Sequence, residues 1–104
     1  MQQPRIIVVD PAGPDGLPYG RLLARLQPLE VQVEVSLDKA IETISRDAWD
    51  LGVVAARSGP RADTLHAVIH EADPQLPVVI LDPKPSVATA RACLQAGACD
   101  YLDL

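Results

Sequence analysis

Three short apolar runs limit what this chain can become. Ile6-Ile7-Val8-Val9, Leu51-Gly52-Val53-Val54-Ala55 and Val78-Val79-Ile80-Leu81 hold no polar residue, and each soon gives way to a charged one: Asp10, Arg57 and Asp82. A strand that stays apolar at every position has both faces covered, the habit of parallel sheets wrapped by helices. Leu29, Val31, Val33 and Val35 instead alternate with Glu30, Gln32 and Glu34. That period of two marks a strand wet on one side and set at an edge.

Helical spacing fills the gaps between these runs. Pro11, Gly13, Pro14, Asp15, Gly16 and Pro18 crowd a loop before a first helical segment carrying Leu22, Leu23 and Leu26. Ser36 is a good cap for a second, with Leu37, Ile41 and Ile44 on one face up to the Asp47-Ala48-Trp49 turn. After a break at Ser58-Gly59-Pro60, a third carries Leu65, Val68, Ile69 and Ala72 and stops before Pro74. Ser86 caps a fourth, through Val87, Ala90 and Leu94 to Gly97, and Cys99 to Leu104 supply the last strand. The alternation predicts an α/β fold: a doubly wound, five-stranded parallel sheet of order 2-1-3-4-5, flavodoxin-like in architecture. Right-handed crossovers put the first helical segment on one face of the sheet and the other three on the opposite face.

Composition narrows the function classes. A chain of 104 residues makes one domain. No apolar run approaches the roughly 20 residues of a membrane span. The Met1-Gln2-Gln3-Pro4 start lacks the flank and apolar stretch of a signal peptide, so a cytoplasmic protein without a membrane partner is expected. The net charge is -5, the nine Lys and Arg are scattered, and there is no Phe, which argues against direct nucleic-acid binding. No glycine-rich phosphate cradle occurs, and no cofactor is expected. Cys93 and Cys99 have no metal or redox spacing and read as small buried residues. His66 and His70, four apart, could hold zinc, but they read more simply as a solvated helix face, and no metal is expected.

Taken in order, Ile7-Val8-Val9-Asp10, Asp50-Leu51, Leu76-Pro77-Val78-Val79-Ile80-Leu81 and Ala96-Gly97-Ala98-Cys99-Asp100-Tyr101-Leu102 resemble the receiver domain of bacterial two-component response regulators. The resemblance covers essentially the whole chain, and the last stretch, similar to the family's G-A-x-D-Y-L segment, is its most specific part. It implies a pocket with two acids after strand one for magnesium, an aspartate phosphoacceptor ending strand three, a Ser or Thr ending strand four and a lysine ending strand five. Here Asp10 alone matches. Pro11 falls at the second acid, Ala55 at the phosphoacceptor, Asp82 at the hydroxyl and Leu104 at the lysine.

The resemblance is therefore to a degenerate, or pseudo-, receiver. An alanine methyl cannot attack a phosphoryl donor, and magnesium loses one of the oxygen ligands it requires. Across strand three, Asp10 and Asp82 are expected roughly 9 to 10 Å apart at the backbone. They read as two solvated carboxylates, or as partners of Arg57 or Lys84, ahead of a cation site. Tyr101 falls at the aromatic position whose rotation accompanies activation in receivers, which makes it a candidate for a partner surface.

A receiver continues into a fifth helix, which these residues lack. One face of strands three, four and five should then show an apolar patch of a few hundred Å². From this follow the expectations of an N-terminal fragment of a longer regulator and of a homodimer. The function expected is a non-enzymatic, phosphorylation-independent regulatory module of a bacterial signalling or transcription regulator, contacting a protein partner or an effector domain in the same chain. Two alternatives stand beside it: a small-ligand sensor using the Asp10, Arg57 and Asp82 crevice, and a flavodoxin-like binding domain similar to receivers in architecture alone.

Overall fold

The computed structural model describes residues 3–13, 30–57 and 61–103. Five parallel strands, β1 (Arg5–Val9), β2 (Glu30–Glu34), β3 (Leu51–Ala55), β4 (Val78–Asp82) and β5 (Asp100–Asp103), form one sheet in the order β2-β1-β3-β4-β5. The described helices are α1 (Leu37–Arg46), α2 (Ala62–Ala72) and α3 (Val87–Gln95). The predicted strand order holds. The first helical segment, the Ser58-Gly59-Pro60 break and Leu104 lie outside the described residues.

Burial follows the hydropathy pattern. β1, β3 and β4 are buried along almost their whole length, whereas β2 is half-buried at the edge. Ile7, Val9, Val54, Val78 and Ile80 face α1, α2 and α3, and pack on Ala40, Ile44, Ala62, Leu65, Ile69 and Cys93. Three successive crossovers of one hand place these three helices on this face. Ile6, Val8, Val53, Ala55 and Leu81 form a second cluster on the other face, joined by Val31, Val33, Leu51 and Val79.

That second face corrects one expectation. Among the described residues, Val53, Ala55 and Leu81 are buried and leave no broad apolar patch open over β3 and β4. Val31, Val33, Leu51 and Val79 pack against this cluster and stay partly buried, and among the described residues Leu102 at the β5 edge is 45% accessible.

Helix ends obey local chemistry. Ser36 Oγ accepts from the Lys39 N–H at 3.2 Å, and Ser86 Oγ from the Thr89 N–H at 3.1 Å, each satisfying one orphan donor. α3 closes through two reversed bonds, Gly97 N–H to the Leu94 carbonyl at 3.1 Å and Ala98 N–H to the Cys93 carbonyl at 3.0 Å. The closure requires φ of +105° at Gly97, which a Cβ would oppose.

Two residues are not where spacing alone put them. His66 is buried, because it shares the inward arc of α2 with Ala62, Leu65 and Ile69, so the pair does not form a solvated face. Cys93 is buried as expected, but Cys99 is exposed, standing just before the edge strand β5.

Candidate functional site at the carboxyl ends of the strands

In open α/β sheets the working crevice lies beyond the carboxyl ends of the strands, beside the reversal of strand order. Here that point falls between β1 and β3. Asp10 follows β1, Ala55 ends β3 and Asp82 ends β4. The pairings Val9↔Val54 and Ala55↔Leu81 bring all three to one end of the sheet.

Asp10 is completely buried. Its N–H donates to the Glu34 carbonyl at 2.9 Å, and its Oδ1 accepts from the Ala12 N–H at 2.8 Å in a tight turn. Its carbonyl accepts from the Gly13 N–H at 3.0 Å, where φ of +74° suits glycine. Oδ2 meets the Arg57 Nε at 3.2 Å. A carboxylate taken wholly out of water requires such a counter-charge. Arg57 supplies it from the segment just past β3.

Asp82 is nearly buried and has different partners. Its Oδ1 accepts from the Lys84 backbone N–H at 2.9 Å, and its Oδ2 accepts from the Tyr101 hydroxyl at 2.5 Å. The Ser86 N–H donates to that hydroxyl in turn, at 3.3 Å. Burial first, and then the bond to Asp82, push the Tyr101 phenol up to about 12, so it remains a donor across the neutral range. Asp82, Tyr101 and the cap of α3 thus form one hydrogen-bonded chain.

These contacts overturn the reading of two solvated carboxylates and bear out the other, pairing with Arg57, for Asp10. Both are enclosed, Asp10 with the Arg57 guanidinium and Asp82 with the Tyr101 hydroxyl. The Lys84 contribution to Asp82 is its backbone N–H. Pro11 is exposed and Ala55 buried, and both line a small apolar crevice with Val9, Val35, Leu37, Val54 and Leu65. Its volume is about 100 Å³. Among the described residues, no group of three or more His, Cys, Asp and Glu side chains is placed to hold a metal ion. The Asp82–Tyr101 bond carried no sequence signal, because it joins residues nineteen apart through the β4–β5 register.

Comparison with solved structures decides the architecture. A response regulator from Burkholderia pseudomallei, solved with a phosphorylated aspartic acid, calcium and citrate, matches 97% of this chain with a TM-score of 0.79 and 21% identity. A CheY-like receiver domain protein from Methanospirillum hungatei matches 98% with a TM-score of 0.83 and 17% identity. The chain has the receiver fold. The beryllofluoride-activated NtrC4 receiver domain dimer also matches, over 95% of this chain, with a TM-score of 0.80 and 20% identity. This receiver-fold chain spans 59% of the Burkholderia protein and 82% of each of the other two. No protein-family model and no curated protein sequence matches it. Among the described residues, no helix is long and apolar enough to cross a membrane.

Proposed function

We propose that this chain is a pseudo-receiver: a regulatory module that works by protein contact and takes no phosphoryl group. The observation that carries the reading is the make-up of the crevice. Ala55 offers a methyl where the resemblance calls for a nucleophilic carboxylate, and Arg57 already neutralises Asp10, the one matching acid. A guanidinium cannot be deprotonated in the working pH range and competes directly with a divalent cation for that carboxylate. Asp82, in place of a hydroxyl, brings a second negative charge that would repel an incoming phosphate. Degeneracy of the pocket thus comprises Pro11, Ala55, Asp82 and, by sequence, Leu104.

Exposed apolar side chains support a contact role. Val87 and Leu94 lie seven apart on one face of α3, at 77% and 49% accessibility, and Leu102 is exposed on β5. Tyr101 fixes this region to Asp82, which makes it a structural support of the partner surface. Within this reading the module is the N-terminal part of a longer cytoplasmic signalling or transcription regulator, acts on an effector domain or protein partner, and forms a homodimer. The test is incubation with a small phosphodonor and magnesium, followed by intact mass measurement. An unchanged mass is expected, and an acid-labile phosphoryl adduct on any aspartate would overturn the proposal.

The apolar crevice favours ligand sensing as a second reading, but its size limits it. Pockets for drug-sized ligands run to about 300–1,000 Å³. A thermal-shift screen against nucleotides and metabolites distinguishes the two, since a ligand bound by the folded state alone raises Tm.

A further inference from the structure

His66 is a buried ionisable residue that the crevice does not use. It is 1% accessible, on the inward arc of α2, and its Nδ1 has no hydrogen-bond partner. Its ring stacks on that of His70, with centroids 5.6 Å apart and planes 24° from parallel. His70 in turn sits against the α3–β5 turn. A Cβ built on Gly97 would lie 3.8 Å from His70 Cε1, so the His70 ring borders the turn. His70 thus borders the seam between the end of α2 and the turn that delivers β5, and its ring carries that contact to the buried His66.

We propose that the His66–His70 stack is a proton-operated release for this seam, closed while His66 is neutral and loosened when it takes a proton. In the neutral ring a bare Nδ1 lone pair can stay unbonded at modest cost. Protonation turns that atom into a charged donor with no acceptor in a buried site, the costlier arrangement. It also sets a positive charge against the second ring.

The surrounding charges do not compensate. Elements packed on α2 carry Asp38, Lys39, Glu42 and Arg46 on α1, Asp82 on β4, and Arg91 and Cys93 on α3, with Cys99 and Asp100 at the turn. On α2 itself, Asp63 is engaged with Arg61 at 3.0 Å, and Glu71 is exposed. Asp82 holds Tyr101. Burial lowers the His66 pKa from its ordinary value of 6.5, and the charge on His70 lowers it further. The sign follows. Above 6.5 the ring is neutral folded or unfolded and the seam is unaffected. As pH falls below 6.5 the opened form takes the proton first, so opening grows until the lowered folded value is reached.

The inference stands whether or not the crevice accepts phosphate, and amide hydrogen exchange tests it. After correction for intrinsic rates, protection of the 65–72 and 96–99 amides should fall by up to tenfold per pH unit below 6.5. β1 and β3 should hold their protection through the same range. His66→Phe, which keeps a ring in the stack but cannot protonate, should give a flat profile. Equal acid loosening in His66→Phe, or a flat profile in the unaltered chain, would overturn the proposal. If His66→Phe fails to fold, an imidazole NMR titration of the unaltered chain decides: the Gly97 amide should titrate with the His66 midpoint, and a different midpoint contradicts the coupling.

Discussion

β1 begins at Arg5 and runs into Asp10, and each of these residues gathers a polar cluster at its own end of the sheet. At the amino end, Arg5 Nε meets Glu30 at 3.2 Å, Nη1 donates to the Ala48 carbonyl at 2.9 Å, and the guanidinium lies 4.3 Å above the Trp49 ring. The Arg5 N–H donates to Asp50 at 2.7 Å. At the carboxyl end, Asp10 pairs with Arg57. The amino-end cluster is the cheaper one to break. Arg5 and Arg57 are alike at 30% and 29% side-chain accessibility, and the difference lies in the acids: water can replace the partner of Glu30, at 52%, but not that of Asp10, at 0%. Desolvation, more than the number of contacts, sets what the loss of one partner costs.

The sharpest way to break the contrast is Arg57→Met. It strands a buried carboxylate, and urea unfolding should show a loss of about 3 kcal/mol. Asp10→Asn in the same background should restore part of it, because the uncompensated charge is gone. A loss no greater than that of an Arg5 substitution would show that the crevice pair is as screened as a surface one.

Tyr101→Phe comes next. It removes the hydroxyl between Asp82 and Ser86, with an expected loss of about 2 kcal/mol, in the range of hydrogen bonds to charged groups. Its pH signature is separate. A phenol raised from 10 to about 12 lends stability that is whole below pH 10 and is lost as pH rises through 12. Alkaline unfolding over that window should be shallower in Tyr101→Phe.

Arg5→Ala should have the smallest effect. The exposed pair and the contact with the Trp49 ring together contribute about 1 kcal/mol. Raising salt should shrink that difference further while leaving the Arg57→Met loss nearly unchanged.

The contrast also explains what was readable in the residues. β1, β3 and β4 announce themselves because burial on both faces leaves only apolar side chains between two polar stops, and the alternating 29–35 stretch announces an edge. Ser36, Ser86 and Gly97 carry their capping roles in their chemistry. Side-chain pairing is legible for Asp10 and Arg57, and not for Asp82. Nothing local ties Asp82 to Tyr101, since the contact exists only once β5 aligns beside β4. His66 reads as half of a polar pair because the apolar spacing of the segment runs through Leu65, Val68, Ile69 and Ala72. The actual inward arc runs through Ala62, Leu65, His66 and Ile69. Asp10 could be placed at the crevice from sequence, but its complete burial depends on the turn through Ala12 and Gly13.

The central claim is that a methyl and a guanidinium have closed this crevice to a cation and a phosphoryl group. NMR titration of the chain with magnesium and beryllofluoride, a phosphoryl mimic, probes it most directly. The account predicts unmoved amides at 9–13, 54–57 and 82–86 up to millimolar magnesium. Saturable shifts centred on Asp10 and Ala55 would contradict it.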